Sequence, residues 1–365
     1  MYEIENKLIL ELCKFLDPDR EKIAAYMKES LHWPYILGQL LFHRVGGAAY
    51  YTLLSCDLLA GVHRECRLPL QMLFDGNRVK GESMQAALEL LGKALPTDIP
   101  YALLKGAYLT GLYPAGLRTS NDIDILLSGE HLSVLEGALL QAGFLQGNIR
   151  SGAFIPADRK EIVMSRMTRG ETVPFIRTVH LPQMEYLEID LNFSLDYQPV
   201  SSADTVSAFL SRAQPLIQAG GACLYTLEPA DFLIHLCCHL YKEATVYAWV
   251  AMERDTSLYK FLDLYLLLHT WTDPNWYRAL KSLIHRYGLE QECYYALLRT
   301  KELFHIEKPY LDALLVGLCP KDTAYLQQII HPGEGRTYYY TDVFADWVFT
   351  SRKKERLYEI TDETP

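Results

Sequence analysis

The stretch Thr119–Ser128, "TSNDIDILLS", places Asp122 and Asp124 two residues apart in an otherwise apolar run. In an extended strand residues i and i+2 share a face, so both carboxylates project together while Ile123 and Ile125 point the other way into a core. Two adjacent carboxylates repel, and the repulsion raises the pKa of one or both unless a cation lies between them. Hard oxygen ligands of this kind suit Mg²⁺ or Mn²⁺. The same spacing also fits two solvated acids at an exposed strand end. The preceding residues, "LLKGAYLTGLYPAGLR", favour a site: Lys105 and Gly106 fall at an expected strand-to-helix turn, and Arg118 comes just before the acidic strand. A glycine there lets backbone N–H groups approach a phosphate at a helix N-terminus, and the two cations neutralise phosphate charge. Taken one at a time, Lys105 and Arg118 are also readable as ordinary surface charges.

Downstream, "EYLEIDLNFSL" alternates strictly: Leu187, Ile189, Leu191 and Phe193 fall on one face, and Glu188, Asp190, Asn192 and Ser194 on the other. One face reads as core and the other as chemistry. Farther on, His235 and His239 are four apart and share a helix face, with Lys242 one turn beyond His239. No glutamate is placed as in H-E-x-x-H, and Cys237 and Cys238 lack a zinc-ligand spacing. Packed or cleft-lining histidines are therefore expected instead of a zinc site.

The order K-G, Y-P, G-x-R, D-I-D-I resembles the uncharacterised nucleotidyltransferase family of the polymerase-beta-like superfamily. "EYLEIDLNFSL" resembles that family's later aspartate-bearing strand, and "LEPADFLIHLCCHLYKE" followed by "KFLDLYLLL" its helical continuation. The resemblance is strongest at residues 104–127. It implies an α+β fold, with a polymerase-beta-like nucleotidyltransferase core built on a mixed sheet and flanked by N- and C-terminal helical regions. It also implies that Asp190 completes a metal-binding, catalytic triad with Asp122 and Asp124, Glu188 one pleat away being the substitute. His239 and Lys242 would border the nucleotide cleft, joining Lys105, Gly106 and Arg118 in nucleotide binding. The chain departs from the pattern twice. Gly106-Ala107 replaces the commoner Gly-Ser phosphate turn, and Asn192 stands where relatives often have histidine.

These residues need a scaffold to position them. Residues 1–95 carry apolar positions at helical spacing, enough for four or five helices, of which "ESMQAALELLGKAL" ends at Pro96. Residues 96–200 read as strand, helix, strand and helix, followed by the strands "EIVMS", "FIRTVHL" and "EYLEIDLNFSL". From 201 the pattern is helical again to about 318, and a tyrosine-rich tail is expected to be irregular. The expected division is a helical region at 1–95, a catalytic core at 96–200 and a helical region at 201–365.

Composition narrows the partners. The 365 residues are 50% hydrophobic and 22% charged, as in a globular protein, and the net charge of -10 lacks the basic footprint of a protein that grips long nucleic acid. No run is apolar enough for a membrane span, and "MYEIENKLILELCKFLDPDR" does not read as a signal peptide. Eight scattered cysteines without a C-x-x-C pair read as reduced thiols of a cytoplasmic protein. The expected activity is metal-dependent transfer of an NMP group from an NTP, such as ATP, to a small-molecule, peptide or protein acceptor, with release of pyrophosphate. A degenerate nucleotide-binding or toxin-neutralising partner protein stays open, as does a D-x-D glycosyltransferase, although the helical first 95 residues disfavour the latter. Neither the acceptor nor the oligomeric state is specified.

Overall fold

The alternation at Asp122–Leu127 is realised as a strand of an eight-stranded sheet in the computed structural model, which describes residues 2–195 and 203–360. The strands are β1 (Tyr101–Leu103), β2 (Asp122–Leu127), β3 (Leu145–Arg150), β4 (Ala153–Pro156), β5 (Phe175–Leu181), β6 (Met184–Asn192), β7 (Gln214–Ala219) and β8 (Ala222–Thr226). Their order is β4-β3-β5-β6-β2-β1-β8-β7. The β2–β6 and β1–β8 pairs are parallel and the other pairs antiparallel, so the sheet is mixed as expected.

Register follows from the apolar alternation. Ile123, Ile125 and Leu127 of β2 and Leu187, Ile189 and Leu191 of β6 are all 0% exposed. They share a core with Met84, Leu88 and Leu91 of the Arg64–Ala94 helix and with Leu135 and Leu139 of the Leu132–Gln141 helix. Burying each such side chain stabilises the fold by about 1.5–3 kcal/mol relative to exposure. A one-residue slip of β2 would send its aspartates into that core, so burial of the isoleucines also fixes where the acids point.

Three expected segments differ. "EIVMS" belongs to the Arg159–Arg169 helix and not to a strand. Asp158 caps that helix by accepting a hydrogen bond from the Glu161 N–H at 2.8 Å, and Gly170 ends it at φ 69°. Within the expected helical stretch after 201, β7 and β8 form a hairpin through Gly220 and Gly221, at φ 61° and 87°; two positive φ values in sequence suit a tight hairpin turn and require glycine. The tyrosine-rich tail is ordered as an antiparallel sheet of β9 (Gln328–His331), β10 (Arg336–Tyr339) and β11 (Tyr358–Glu359) with a Phe344–Phe349 helix, on which Trp347 stacks against Tyr340 at 4.1 Å.

The chain forms two compact units, grouped differently from the three consecutive segments expected: residues 75–235 make one, and residues 1–74 with 236–365 the other. The Arg64–Ala94 helix runs through the first boundary, and its later turns supply the sheet's core, which is why no break falls at Pro96. The sheet-containing unit holds all of β1–β8. The other unit is helical, with β9–β11, and buries Trp347, Tyr265, Tyr295 and Phe261. Residues 1–95 contain five α-helices among the described residues, within the expected number. All eight cysteines are free thiols, six of them buried. No helix among the described residues is long and apolar enough to cross a membrane.

Candidate active site

Parallel pairing of β2 with β6 sets Asp122 beside Glu188 and Asp124 beside Asp190. Residues paired across adjacent strands project to the same face about 5 Å apart, so four carboxylates form a two-by-two patch opposite the aliphatic core. The third carboxylate that the resemblance places at Asp190 thus lies next to Asp124, and Glu188 next to Asp122. Asn192, at the position where relatives often have histidine, directs its amide to Asp124 Oδ1 at 3.4 Å. It is a neighbour of the acids that cannot exchange a proton as an imidazole can.

The turn before the acidic strand is built against the same patch. Lys105 opens the Lys105–Leu112 helix at φ 33°, an uncommon conformation for a residue with a side chain, and its Nζ lies 3.1 Å from Asp124 Oδ1. The Leu104 N–H donates to the Asp124 carbonyl at 2.9 Å, which holds the end of β1 to β2. Gly106 has a packing reason to be glycine: a Cβ there would lie 2.4 Å from Ser120 Cβ and 2.5 Å from Ser120 Oγ. Ser120 fills that space and donates its hydroxyl to Asp122 Oδ1 at 2.7 Å. The chain that lacks a Gly-Ser turn thus brings a serine to Gly106 from the other side.

The electrostatics are one-sided. Burial pushes the Asp190 carboxyl well above the usual aspartate range, and Asp124, Asp122, Glu188 and Glu171 push it in the same direction. Glu188 is raised by burial and then by Asp122 and Asp124. Such a patch takes up a proton or a cation. Its donors are all hard oxygens, the set that suits a magnesium-type ion. Among the described residues, however, no three His, Cys, Asp or Glu side chains are already arranged around one metal position.

Arg118 donates to the Thr119 carbonyl and lines a cavity that the four carboxylates do not line. His239 and Lys242 belong to the helical unit, not to the unit of the carboxylates. There His239 Nε2 lies 3.2 Å from Glu243 Oε2, and Lys260 Nζ lies 2.6 Å from the same oxygen. His235, at the end of the sheet-containing unit, is 6% exposed. Two residues beside the acids are absent from the set expected from the sequence. Ser120 carries a signal in its spacing, two before Asp122. Glu171 carries no local signal, because it reaches the patch through its bridge to Asn192.

No curated protein matches the chain. Among solved structures it is similar to an antigenic nucleotidyltransferase-like protein from Paracoccidioides brasiliensis, at 14% identity over 66% of this chain and 94% of that one. With a TM-score of 0.38, that likeness is too slight to bear on the site. Residues 29–305, well over half of the chain, match the family of uncharacterised nucleotidyltransferases, and the chain belongs to that family.

Proposed function

We propose that this protein is a metal-dependent nucleotidyltransferase, in which an acceptor oxygen attacks the α-phosphate of an NTP and pyrophosphate leaves. The observation that carries this reading is the patch of Asp122, Asp124, Glu188 and Asp190, whose charge the surrounding fold leaves in excess. Asp122, Asp124 and Asp190 would hold Mg²⁺ or Mn²⁺, which when bound supplies positive charge to the triphosphate and acidity to the acceptor. Asp190, paired beside Asp124 on the adjacent strand, is placed to accept the acceptor's proton as the new bond forms. Lys105 is near enough to Asp124 to turn from the carboxylate to a phosphate oxygen. Arg118 enters this reading as a phosphate contact from its place in the sequence just before the acidic strand. Gly106 contributes backbone, with Ser120 locking its position. His239 and Lys242 enter this reading from the family resemblance alone, as further nucleotide contacts.

The test is pyrophosphate release from each NTP with Mg²⁺ or Mn²⁺, in the presence of small-molecule and protein extracts, with wild type and the Asp122→Ala and Asp124→Ala variants. Wild type is expected to release pyrophosphate and to label an acceptor with one nucleotidyl group, and both variants to lose the activity and the metal-dependent stabilisation by NTP. Nucleotide binding without release in every extract would mark a nucleotide-binding partner protein instead. Unchanged NTP and metal responses in both variants would remove the metal assignment.

A further inference from the structure

In the helical unit, the Pro274–Tyr287 and Pro309–Leu318 helices lie side by side and enclose a groove of about 600 Å³. They run in the same direction: the Tyr277 and Tyr310 rings meet at 4.5 Å, and farther along both helices the Lys281 side chain lies across Gly317. Each helix begins with a proline that lines the groove, a residue suited to the first helical position because it has no N–H to satisfy. The volume falls in the range of small-molecule sites.

The two walls differ in character. Pro309, Tyr310, Ala313 and Leu314 make one wall without a charge, whereas the other carries Arg278 and Lys281, three residues apart on one helix face. No acidic residue lines the groove among the described residues, in a chain whose net charge is -10. The two acids adjacent in sequence to wall residues are engaged elsewhere: Asp273 caps its helix by accepting from the Asn275 N–H at 2.9 Å, and Asp312 pairs with Lys301. Arg278 donates to the Asn275 side-chain oxygen, a neutral acceptor that leaves its charge in place. Lys281 is seated by Gly317, where a Cβ would come within 2.2 Å of Nζ and 2.4 Å of Cε. A glycine inside a helix costs up to about 1 kcal/mol relative to alanine, and here its bareness makes room for the ammonium beside the groove.

We infer that this groove is a ligand site for a small aromatic carboxylate. The ring lies along Tyr310, Ala313 and Leu314, and the carboxylate bridges Arg278 and Lys281, which donate charge-assisted hydrogen bonds to it. The site shares no residue with the carboxylate patch or with the residues assigned to the nucleotide, and the inference does not depend on nucleotidyl transfer.

Equilibrium dialysis of the full chain against 2-naphthoate, and against its neutral counterpart 2-naphthamide, tests the site. Wild type is expected to bind naphthoate saturably and the amide more weakly. Arg278→Gln and Lys281→Gln each remove one charge at a partly or fully exposed position. Together they should weaken naphthoate at least about tenfold, the loss expected for a charge-assisted hydrogen bond, and leave the amide unchanged. Ala313→Trp, at an exposed position, fills the groove and should weaken both probes, with a wild-type melting temperature as the sign that it is folded. If Ala313→Trp melts early, the glutamine pair carries the test alone. Absence of saturable naphthoate binding to wild type, or undiminished binding to folded Ala313→Trp, would overturn the site. Equal loss of both probes in the glutamine pair, or no loss of either, would overturn the assignment to a carboxylate.

Discussion

Two groups of acidic residues, one in the helical unit and one on the sheet, meet opposite outcomes. In the helical unit Asp255, 0% exposed, receives Lys353 Nζ at 2.7 Å, and the same ammonium donates to Thr256 Oγ1 at 2.5 Å. Glu243 receives Lys260 Nζ at 2.6 Å. Burial pushes the Lys353 pKa down while Asp255 pushes it back up, which is the balance of a paired charge. On the sheet, every effect on Asp190 runs upward. A fold that matches acidic charges in one place and leaves them in excess in another has the means to neutralise carboxylates, and the excess at the sheet is what the proposed metal would offset.

Breaking the matched pair should cost the most. Lys353→Ala leaves Asp255 buried without its cation, for an expected loss of about 3–5 kcal/mol of stability. All five tryptophans lie in the helical unit, so a urea titration followed by tryptophan emission reads this loss directly. A change under about 1 kcal/mol would show that the pair is not the compensation described here.

On the mismatched side, the next largest effect should fall on chemistry. Asp190→Asn keeps shape and removes the proton acceptor, so turnover should fall at least about a hundredfold while NTP affinity stays near wild type. Calorimetric titration beside pyrophosphate release separates the two. If Glu188→Gln is the inactive variant and Asp190→Asn stays active, the roles of the two β6 acids are exchanged.

Gly106→Ala should be costly because its methyl enters the space held by Ser120, with overpacking of about 1–3 kcal/mol expected. Combining it with Ser120→Gly removes the two nearest atoms and leaves the Asp122 carbonyl at 3.5 Å, an ordinary contact. The double variant should recover the melting temperature lost by Gly106→Ala, yet it lacks the hydroxyl on Asp122 and should not recover activity. Equal melting of the single and double variants would show that the clash is relieved elsewhere.

The smallest effect is on pH dependence. Folding raises the Asp190 and Glu188 pKa values above their unfolded ones, so the folded state holds more protons between about 4 and the raised values, and stability increases as pH falls through that window. Asp190→Asn has no such proton to gain. It should be more stable than wild type near pH 7.5, by about 1 kcal/mol, with the advantage shrinking toward pH 5. His43, whose pKa burial pushes down to about 3, works in the opposite direction in both proteins and cancels in the comparison. Calorimetric melts at the two pH values measure the difference, and a constant gap would count against a shared proton in the patch.

Much of this site is legible in the amino-acid sequence. Period-2 alternation at 122–127 and 187–193 identifies both strands and the face each acid takes, because burying an aliphatic residue gains about 1.5–3 kcal/mol while burying an unpaired carboxylate costs far more. Other local signals are present but point two ways. Gly220-Gly221 is a hairpin turn inside a stretch whose apolar spacing suggests helix, and Asp158 and Gly170 bracket a helix whose apolar residues resemble a short strand. What no local pattern holds is pairing. That Asp124 lies beside Asp190, 66 residues on, rests on β2 and β6 being adjacent and parallel, a matter of topology. Ser120 against Gly106, Glu171 near Asp190, and a groove between the Pro274–Tyr287 and Pro309–Leu318 helices likewise exist only once distant segments meet. Side-chain chemistry and its periodicity are properties of the chain. Which charges end as neighbours, and which remain unmatched, is decided by the packing of the sheet.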